Sequence, residues 1–490
     1  MNNFTHMGII DDMDDGLEDI HKFITNENKS LLIRGKSGTG RTTLALEIAK
    51  NHSNRFEVIF ISRNISIDNI YSRFPWTKSL LKSYNIVSIN TNPDFILSEA
   101  SVILNSIMNT LSNRIQKIED PFVPLKEKPT PFIILEIWDN ITKELDNNDI
   151  IRTQKILLSL IDKNGGFIIF LTEDMKNTDI DNLIDGIITL DQSFYKSYRL
   201  REMQIYKLKG TGINRSKIGF TLTNGRFRTF SPLSHKINFN KINNFIFFPH
   251  KEKTFSTGNQ RLDHKLKGGF KKGSIISLEI EEEVDRFAFV PIFVPLVLNF
   301  VSQGYGALVI SAWDQHTSAV TRYITPFVNK KFLNEYFRII GRDNDIKNVL
   351  KKTSEQRPSY IIPGIEGDFM NTFKMWKKEY EELRNKTDGC LITIDFSFVE
   401  LQYQNELLDI QKAIINFSSQ IRSSNDLLVM VSRPTYKSLD VMKSVSDIHL
   451  KLLEFNGAVM LAAIKPQFFL YNVQTDPNAG YPRSLFLDSS

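Results

Sequence analysis

The fold is decided by residues 31–50, whose sequence is LLIRGKSGTGRTTLALEIAK. Four residues typical of a β-strand run into a glycine-rich turn, and a stretch with helical character follows. Glycines allow such a turn to curl until successive N–H groups point at one phosphate, and the dipole of the following helix adds partial positive charge there. The stretch therefore predicts a phosphate-binding loop. Its members are Gly35, Lys36, Ser37, Gly38, Thr39, Gly40, Arg41, Thr42 and Thr43.

The loop departs from the usual pattern at one residue. The pattern G-x-x-x-x-G-K-[ST] places a lysine before the hydroxyl residue that binds Mg²⁺, whereas this chain has Arg41 before Thr42. A guanidinium is always charged and can bind phosphate through two parallel hydrogen bonds, although it is bulkier than an ammonium. We therefore expect the loop to bind a nucleotide phosphate, with Thr42 as a ligand of Mg²⁺. The alternative is a flexible turn between a strand and a helix.

A second motif lies in residues 132–139, FIILEIWD. In nucleotide-binding α/β domains, an acid at the carboxyl end of a buried strand holds the Mg²⁺ ion. Glu136 takes this position, and Asp139 follows three residues later. We therefore expect Glu136 to be a metal ligand, and Glu136 and Asp139 to be the candidate catalytic residues. The alternative is a central strand that ends in surface acids.

Alternating strands and helices around these motifs predict an α/β domain with a mostly parallel sheet and helices on both faces. The phosphate site then lies at the carboxyl ends of the strands. Residues 200–210 alternate as an edge strand, and a hairpin about Asn224 and Gly225 ends the unit. Predicted strands are 56–62, 86–89, 132–136, 167–171 and 183–190, and predicted helices are 15–26, 67–82 with a break at Pro75, 93–117 and 150–164.

The second half of the chain repeats the first. Residues 274–280, 391–395, 427–432 and 445–450 correspond to the strands that start near residues 31, 133, 167 and 184. A repeated unit of this size predicts two tandem domains of one fold, at residues 1–235 and 253–490 with a linker at 236–252. Residues 281–286, EEEVDR, replace the glycine-rich loop with four carboxylates. They would repel a nucleotide phosphate, so the second copy is expected to be structural or regulatory.

The composition narrows the class of protein. The chain has 490 residues, 41% of them apolar and 24% charged, as in ordinary globular proteins. The net charge of +5 permits contact with nucleic acid without arguing for it. Cys390 is the single cysteine, which excludes an intrachain disulfide framework and suits a reducing cytoplasm. We therefore expect a cytoplasmic protein.

Two stretches bear on targeting and on membrane insertion. The acidic N-terminus has no apolar core of the kind found in signal peptides. Residues 287–313 carry no charge and are long enough to span a bilayer, but they contain Pro291, Pro295 and a turn-like SQGYG. We expect a buried helix at 287–301 and a buried strand at 307–311, with no membrane contact.

Several of these residues carry a resemblance to a known family. The stretches STGNQRLD at 256–263 and GGFKKGS at 268–274 resemble the start of a KaiC-type domain of the RecA-like ATPases. Residues 185–190 and 207–210 resemble the end of that domain, where the family has a Lys-x-Arg-Gly strand that reaches the γ-phosphate of a neighbouring subunit. Residues 73–76, RFPW, and 134–140 are similar to the GvpD family of archaeal gas-vesicle regulators. The resemblance covers nearly the whole chain.

The resemblance implies two tandem RecA/KaiC-like domains, the second degenerate, with ATP and Mg²⁺ as ligands. It implies that Lys207 and Lys209 contact the nucleotide of a neighbouring subunit in a homo-oligomer. It also implies a role in regulation, such as gas-vesicle regulation, through a protein partner such as a transcriptional regulator. The chain departs from the family at Arg41, at Glu136 in place of aspartate and at Lys209 in place of arginine.

A fourth departure concerns hydrolysis. The family carries a glutamate pair that activates the attacking water, and residues 63–65 of this chain contain no carboxylate. We therefore expect an ATP-binding regulatory switch whose ATPase activity is weak or missing. Ordinary turnover would require another carboxylate, such as Asp139 or Glu173, to orient the water. The alternative function is a DNA-handling ATPase related to RecA and RadA, for which residues 236–241 and Lys351–Lys352 offer sparse basic charge.

Overall fold

The structure is a computed structural model, and it describes most of the chain. The described residues are 15–26, 28–63, 66–81, 86–89, 130–136, 138–139, 146–175, 179–233, 245–285, 288–310, 322–341, 358–364, 367–476, 479–481 and 483–489. The chain divides into two compact units, Met1–Ser231 with the last two residues, and Pro232–Asp488. The units are described separately below.

The first unit is built on one large sheet, to which the described residues contribute nine strands in the order β3-β2-β4-β5-β1-β6-β7-β8-β9. Neighbouring strands are parallel from β3 to β6 and antiparallel from β6 to β9. The strands are β1 Ser30–Gly35, β2 Phe56–Arg63, β3 Ile86–Ile89, β4 Thr130–Leu135, β5 Phe167–Thr172, β6 Gly186–Tyr195, β7 Tyr198–Leu208, β8 Lys217–Thr221 and β9 Arg228–Thr229. The prediction of a mostly parallel α/β sheet is confirmed.

Helices begin and end in this unit where the sequence provides caps. Ser66 and Asp146 accept backbone N–H groups at the starts of α3 and α4. Gly165 ends α4 in the left-handed conformation, with φ of 67°. The described α-helices are α1 Glu18–Thr25, α2 Arg41–Asn51, α3 Ile67–Arg73 and α4 Asn147–Asn164. A 3₁₀ turn at Pro75–Ser79 follows α3, so the break predicted at Pro75 is confirmed.

Strand β1 lies at the centre of the sheet and is buried along its whole length. Leu31 and Ile33 pack with residues of α1 and α2 on one face of the sheet, and Leu32 packs with Ile133 and Ile168 on the other. Burial on both faces explains why the three residues 31–33 in the middle of this strand are all apolar. The strand therefore places the loop that follows it at a fixed position, at the carboxyl ends of the parallel strands.

One prediction about this sheet is wrong. The sequence predicts an edge strand at residues 200–210, but β7 pairs with β6 on one side and β8 on the other. Alternating polarity reports a strand with one solvated face, and it does not distinguish an internal antiparallel strand from an edge. The short β9 ends the described sheet on this side, paired with β8 around the predicted turn at Asn224 and Gly225.

The second unit repeats the arrangement. The described residues form a ten-stranded sheet in the order β15-β14-β13-β16-β17-β12-β18-β19-β20-β21, and β10 pairs with β11 separately. Strand β12 lies between β17 and β18 as β1 lies between β5 and β6. The strands are β10 Thr254–Phe255, β11 Phe270–Lys271, β12 Ile275–Ile280, β13 Gly306–Ile310, β14 Phe337–Gly341, β15 Ile361–Pro363, β16 Cys390–Asp395, β17 Leu427–Ser432, β18 Ile448–Phe455, β19 Ala458–Lys465, β20 Leu470–Thr475 and β21 Ser484–Asp488.

Helices of the second unit cover both faces of its sheet. The described α-helices are α5 Gln260–Lys265, α6 Val290–Val301, α7 Lys330–Tyr336, α8 Phe369–Arg384, α9 Phe396–Gln402, α10 Leu407–Ser424 and α11 Ser438–Val445. The uncharged stretch at 287–313 supplies α6 and β13, both buried, as the sequence predicted. Among the described residues, no helix has the length and apolar character needed to cross a membrane.

Some predictions fall outside the described residues. These are the helix at 93–117, residues 64–65, and the basic stretches at 236–241 and 351–352. The predicted domain limits, 1–235, 236–252 and 253–490, stay a prediction, because residues 234–244 are also outside.

Candidate nucleotide-binding site

The predicted phosphate loop connects the end of β1 at Gly35 to the start of α2 at Arg41. Gly38 and Gly40 have φ of 82° and 101°, a conformation that side chains rarely adopt. The loop closes on itself, because the backbone N–H and the hydroxyl of Thr39 both donate to the carbonyl of Lys36, at 3.1 and 2.8 Å. The first N–H groups of an α-helix have no partner within the helix. This turn places those of α2 at the carboxyl ends of the parallel strands.

One glycine of the loop is also required by packing. A Cβ atom at Gly35 would lie 2.4 Å from Oγ1 of Thr39 and 2.8 Å from the carbonyl oxygen of Leu190 on β6, so a side chain there would push the loop away from β6. A Cβ atom at Gly40 would lie 2.8 Å from the terminal methyl groups of Leu222, which can move. Gly40 is favoured by its φ of 101° instead.

The predicted metal ligands lie side by side. The hydroxyl of Thr42 donates to Oε1 of Glu136 at 2.8 Å, and the hydroxyl of Ser62 donates to the other carboxylate oxygen. The backbone N–H of Glu136 donates to the carbonyl of Ile61 on β2 at 2.9 Å, which fixes the residue at the end of β4. A hydroxyl and a carboxylate oxygen are ligands that Mg²⁺ prefers, with water and phosphate completing its shell. This donor set fits Mg²⁺.

Arg41 lies between two carboxylates. Its Nη1 is 3.4 Å from Oδ2 of Asp139, and its Nη2 is 2.9 Å from Oε1 of Glu173. Asp139 also accepts hydrogen bonds from the hydroxyl of Thr172 and from the backbone N–H of Glu173. The predicted catalytic Asp139 is thus an ion-pair partner of the loop cation. Glu173 enters the site because it directly follows β5, the strand next to β1.

Sequence reasoning missed Ser62 and Thr172, and it considered Glu173 only as an alternative that could orient water. All three lie at or just beyond the ends of β2 and β5. A usable signal was present, because the carboxyl ends of neighbouring parallel strands converge on one edge of the sheet. Polar residues at such ends could have been assigned to the site from strand order.

Lys207 and Lys209 lie away from the phosphate loop of their own chain. Gly35 pairs with Leu190 on β6, whereas Lys207 pairs with Ile187, nearer the start of β6 and the amino ends of the parallel strands. The ammonium of Lys207 donates to the carbonyls of Asp181 and Ile184, at 3.1 and 2.6 Å.

The side chain of Lys209 is 72% exposed, and its Nζ lies 3.5 Å from a carboxylate oxygen of Asp185. The assignment of both lysines as contacts to the nucleotide of a neighbouring subunit stays a prediction.

The helix that follows the loop is held by a buried ion pair. Glu47 of α2 accepts from the guanidinium of Arg226 at 2.8 Å, and that guanidinium lies 4.8 Å from the centre of the Trp76 ring. The indole N–H of Trp76 donates to the carbonyl of Gly225 at 2.8 Å. The RFPW segment therefore packs the turn at 224–226 against α2.

A histidine pair is buried at the other end of α2. Nδ1 of His21 lies 3.0 Å from Nε2 of His52, and Asn51 contacts the second nitrogen of His21 at 3.1 Å. Burial lowers the pKa of His21 to about 4. Burial, and then the proximity of His21 and Arg55, lower the pKa of His52 to about 4. Both rings are therefore neutral at physiological pH.

The second unit has a different arrangement at the equivalent edge. Arg433 directly follows β17, and its guanidinium donates to the carbonyls of Glu281 and Val284, at 3.2 and 3.3 Å, and to Oε2 of Glu282 at 3.3 Å. The loop after β12 thus directs carbonyl groups at a cation. Asp395, at the position of Glu136, is buried, and this burial raises its pKa to about 6.

Comparisons with known proteins agree with this geometry. A family model described as "ATPase: KaiC" matches residues 10–232. Protein GvpD2 of Halobacterium salinarum is 20% identical over 475 residues, covering 95% of this chain and 94% of that protein. Protein GvpD1 of the same organism is 24% identical over a 516-residue alignment, covering 94% of each chain.

The circadian clock oscillator protein KaiC of a Picosynechococcus species is 24% identical over 281 residues, covering 54% of this chain and 50% of that protein. Residues 10–232 therefore form a KaiC-like ATPase-family domain, and the chain is homologous to GvpD1 and GvpD2 along most of its length.

Proposed function

We propose that this protein is a regulatory switch that binds one ATP per chain with Mg²⁺, and that binding itself is the signal. The observation that carries the proposal is the closed glycine loop at 35–40, followed at once by the contact between Thr42 and Glu136. The KaiC-like family and the homology to GvpD proteins support a regulatory ATPase-family protein.

The residues of the site have separate roles in this proposal. The N–H groups of the loop and of the first turn of α2 bind the phosphates. Thr42 and Glu136 hold Mg²⁺, which neutralises phosphate charge when bound. Arg41 supplies the positive side chain that the usual lysine supplies elsewhere.

Hydrolysis is proposed to be slow or missing because the candidate water-orienting groups are occupied. Glu136 accepts from Thr42 and Ser62, and Asp139 accepts from Thr172 and from the N–H of Glu173. Phosphoryl transfer depends on positioned charge and an oriented water. Restoring a lysine at position 41 would therefore not restore hydrolysis by itself. Arg41→Lys should alter nucleotide affinity without giving the ordinary turnover of about 10 s⁻¹.

Assembly and partners complete the proposal. The exposed Lys209, at the edge opposite the loop, is suited to contact the nucleotide of another copy, so we expect a homo-oligomer promoted by ATP. The nucleotide-bound form is proposed to change its hold on a protein partner, such as a transcriptional regulator.

Calorimetry of the full chain with ATP, ADP and GTP, with and without Mg²⁺, tests the proposal. The expected result is one Mg²⁺-dependent ATP site per chain, with little phosphate released. Failure to bind any nucleotide would contradict it. Rapid, salt-dependent binding of single-stranded DNA with ATP turnover would favour the DNA-handling alternative.

A further inference from the structure

The contacts of Arg41 place a competing anion inside the proposed nucleotide site. The Arg41 side chain is 16% exposed, and its guanidinium makes ion pairs with Asp139 and Glu173, which lie beyond the ends of neighbouring strands. Arg41 is the only charged residue of the segment Gly40-Arg41-Thr42, so the positive charge at this place in the phosphate loop is already paired with carboxylates. A phosphate that approaches Arg41 must share the guanidinium with these groups or displace one of them.

The two carboxylates are held differently. Asp139 accepts from the Thr172 hydroxyl and the Glu173 N–H as well as from Arg41, at 3.4 Å, so several groups fix its position. The Glu173 side chain is 52% exposed and makes the shorter ion pair, 2.9 Å, with Arg41. An exposed glutamate can turn into water at little energetic cost, whereas Asp139 would leave other donors unsatisfied.

The geometry points to Glu173 as a positioning residue that sets nucleotide affinity: it pairs with Arg41, and a nucleotide phosphate displaces it while Asp139 keeps its contact. This inference rests on the proposed function of nucleotide binding. A guanidinium carries five N–H donors in a planar fork, so one side can face Asp139 while the other faces phosphate. A lysine has no such fork, which gives the arginine a function that the usual residue cannot perform.

The displacement has a consequence for ligand choice. In phosphate loops the cation before the hydroxyl residue reaches the β- and γ-phosphates. Ligands with several phosphates can therefore replace the Glu173 carboxylate at Arg41, whereas a nucleoside monophosphate cannot. Glu173 therefore weakens the binding of polyphosphate ligands, which must displace it from Arg41, and has no comparable effect on a monophosphate.

The test compares ATP, ADP and AMP binding by calorimetry, in the presence of Mg²⁺, for the wild-type chain and for Glu173→Gln. The glutamine removes the competing charge and keeps the side chain's size. We expect ATP and ADP to bind about two- to fivefold more tightly to Glu173→Gln, with no comparable gain for AMP. Glu18→Gln is the matched control, because Glu18 is also 52% exposed and forms an ion pair, with Lys22 on α1, outside the proposed site. It should leave all three affinities unchanged.

The outcomes separate this inference from the proposed function. Wild-type binding with equal or weaker ATP affinity in Glu173→Gln would overturn the positioning role. An unchanged affinity with a large loss of ATP turnover would overturn it in favour of a role in orienting water. If neither protein binds any nucleotide, the proposed function fails, and the inference fails with it. A second variant, Glu173→Ala, should show the same gain, because the effect comes from removing the charge.

Discussion

Each unit has an ion pair at the carboxyl ends of its central parallel strands, but the positive and negative partners have exchanged places. In the first, the cation Arg41 comes from the loop and helix after β1, and its partner Glu173 follows the neighbouring strand β5. In the second, the cation Arg433 follows the neighbouring strand β17, and its partner Glu282 comes from the loop after β12. Both edges keep an ion pair, but only the first puts the positive group on the loop.

The reversal continues one step back along the central strands. Arg34 on β1 is paired with Asp181, whereas the equivalent Glu279 on β12 is paired with Lys443 at 2.6 Å and Lys451 at 2.9 Å. Burial alone would raise the pKa of Glu279, but hydrogen bonds from His449 and both lysines lower that pKa well below its usual range. The second unit therefore keeps a stable fold with a charge pattern that does not suit phosphate.

Substitution of Gly35, at the end of the central strand β1, should have the largest effect. Ile280 occupies the position of Gly35 in the second unit, so a side chain is tolerated in one loop and excluded from the other. Gly35→Ala should weaken ATP binding by about 100-fold or more, roughly 3 kcal/mol, because its Cβ would collide with Thr39 and Leu190. Ile280→Val is the control and should bind ATP normally. Equal affinities in calorimetry would contradict the proposed loop geometry.

The response to acid should also separate the units. The pKa of His21 and of His52 is lowered to about 4 by burial, from about 6.5 in the unfolded chain. The stability of the first unit should therefore be constant above pH 6.5 and should fall as the pH decreases toward 4, by about 3 kcal/mol for one histidine.

In the second unit, the pKa of His250 is also lowered to about 4 by burial. The raised pKa of Asp395 acts in the opposite direction, since it favours the folded state as the pH falls below about 6. Peptide-resolved hydrogen exchange at pH 7 and 4.5 measures both units in one chain. A steeper loss of protection in the second unit would contradict this expectation, and His21→Gln should reduce the loss in the first.

Substitution of Arg433, the cation that contacts the loop after β12, should have a moderate effect on stability. Arg433→Ala leaves the carbonyls of Glu281 and Val284 without their guanidinium donor, so exchange in residues 281–285 should accelerate and local stability should fall by about 2 kcal/mol. Arg422→Ala, which removes a more exposed ion pair with Asp447, is the control and should cost about 0–1 kcal/mol. A new nucleotide site in Arg433→Ala would show that the arginine alone blocks binding.

The acids at the ends of β4 and β16 should give the smallest difference. Glu136→Gln should reduce the effect of Mg²⁺ on ATP affinity by about tenfold, roughly 1.4 kcal/mol, because it removes a charged oxygen ligand. Asp395→Asn should leave that effect unchanged and alter only the pH dependence of stability. Calorimetry with and without Mg²⁺ measures both variants. Equal Mg²⁺ dependence in wild type and Glu136→Gln would remove Glu136 from the metal site.

The sequence was sufficient for the fold and for the loop. Strand and helix periodicity placed β1, β4, β5 and α2, and the glycine pattern placed the turn at 38–40, because these depend on local sequence. The internal position of β7 was missed, since strand order depends on pairing with residues distant in the chain. The contact of Ser62 with Glu136 was missed for the same reason.

The partners of Arg41 also could not be derived from spacing. Asp139 and Glu173 are separated from it by about 100 residues or more, and only the order β4-β5-β1 brings them together. The charge reversal in the second unit was visible in part, as the acidic stretch at 281–285. The guanidinium that compensates it, Arg433, required the structure.

We expect the loop at 35–43 to bind nucleotide and the loop at 281–285 to bind none. Hydrogen–deuterium exchange of the full chain with and without Mg-ATP reports on both loops in one sample. Exchange should slow in peptides that contain residues 35–43 and stay unchanged in peptides that contain residues 281–285. Protection of the second loop, or equal protection of both, would contradict a nucleotide site confined to the first unit.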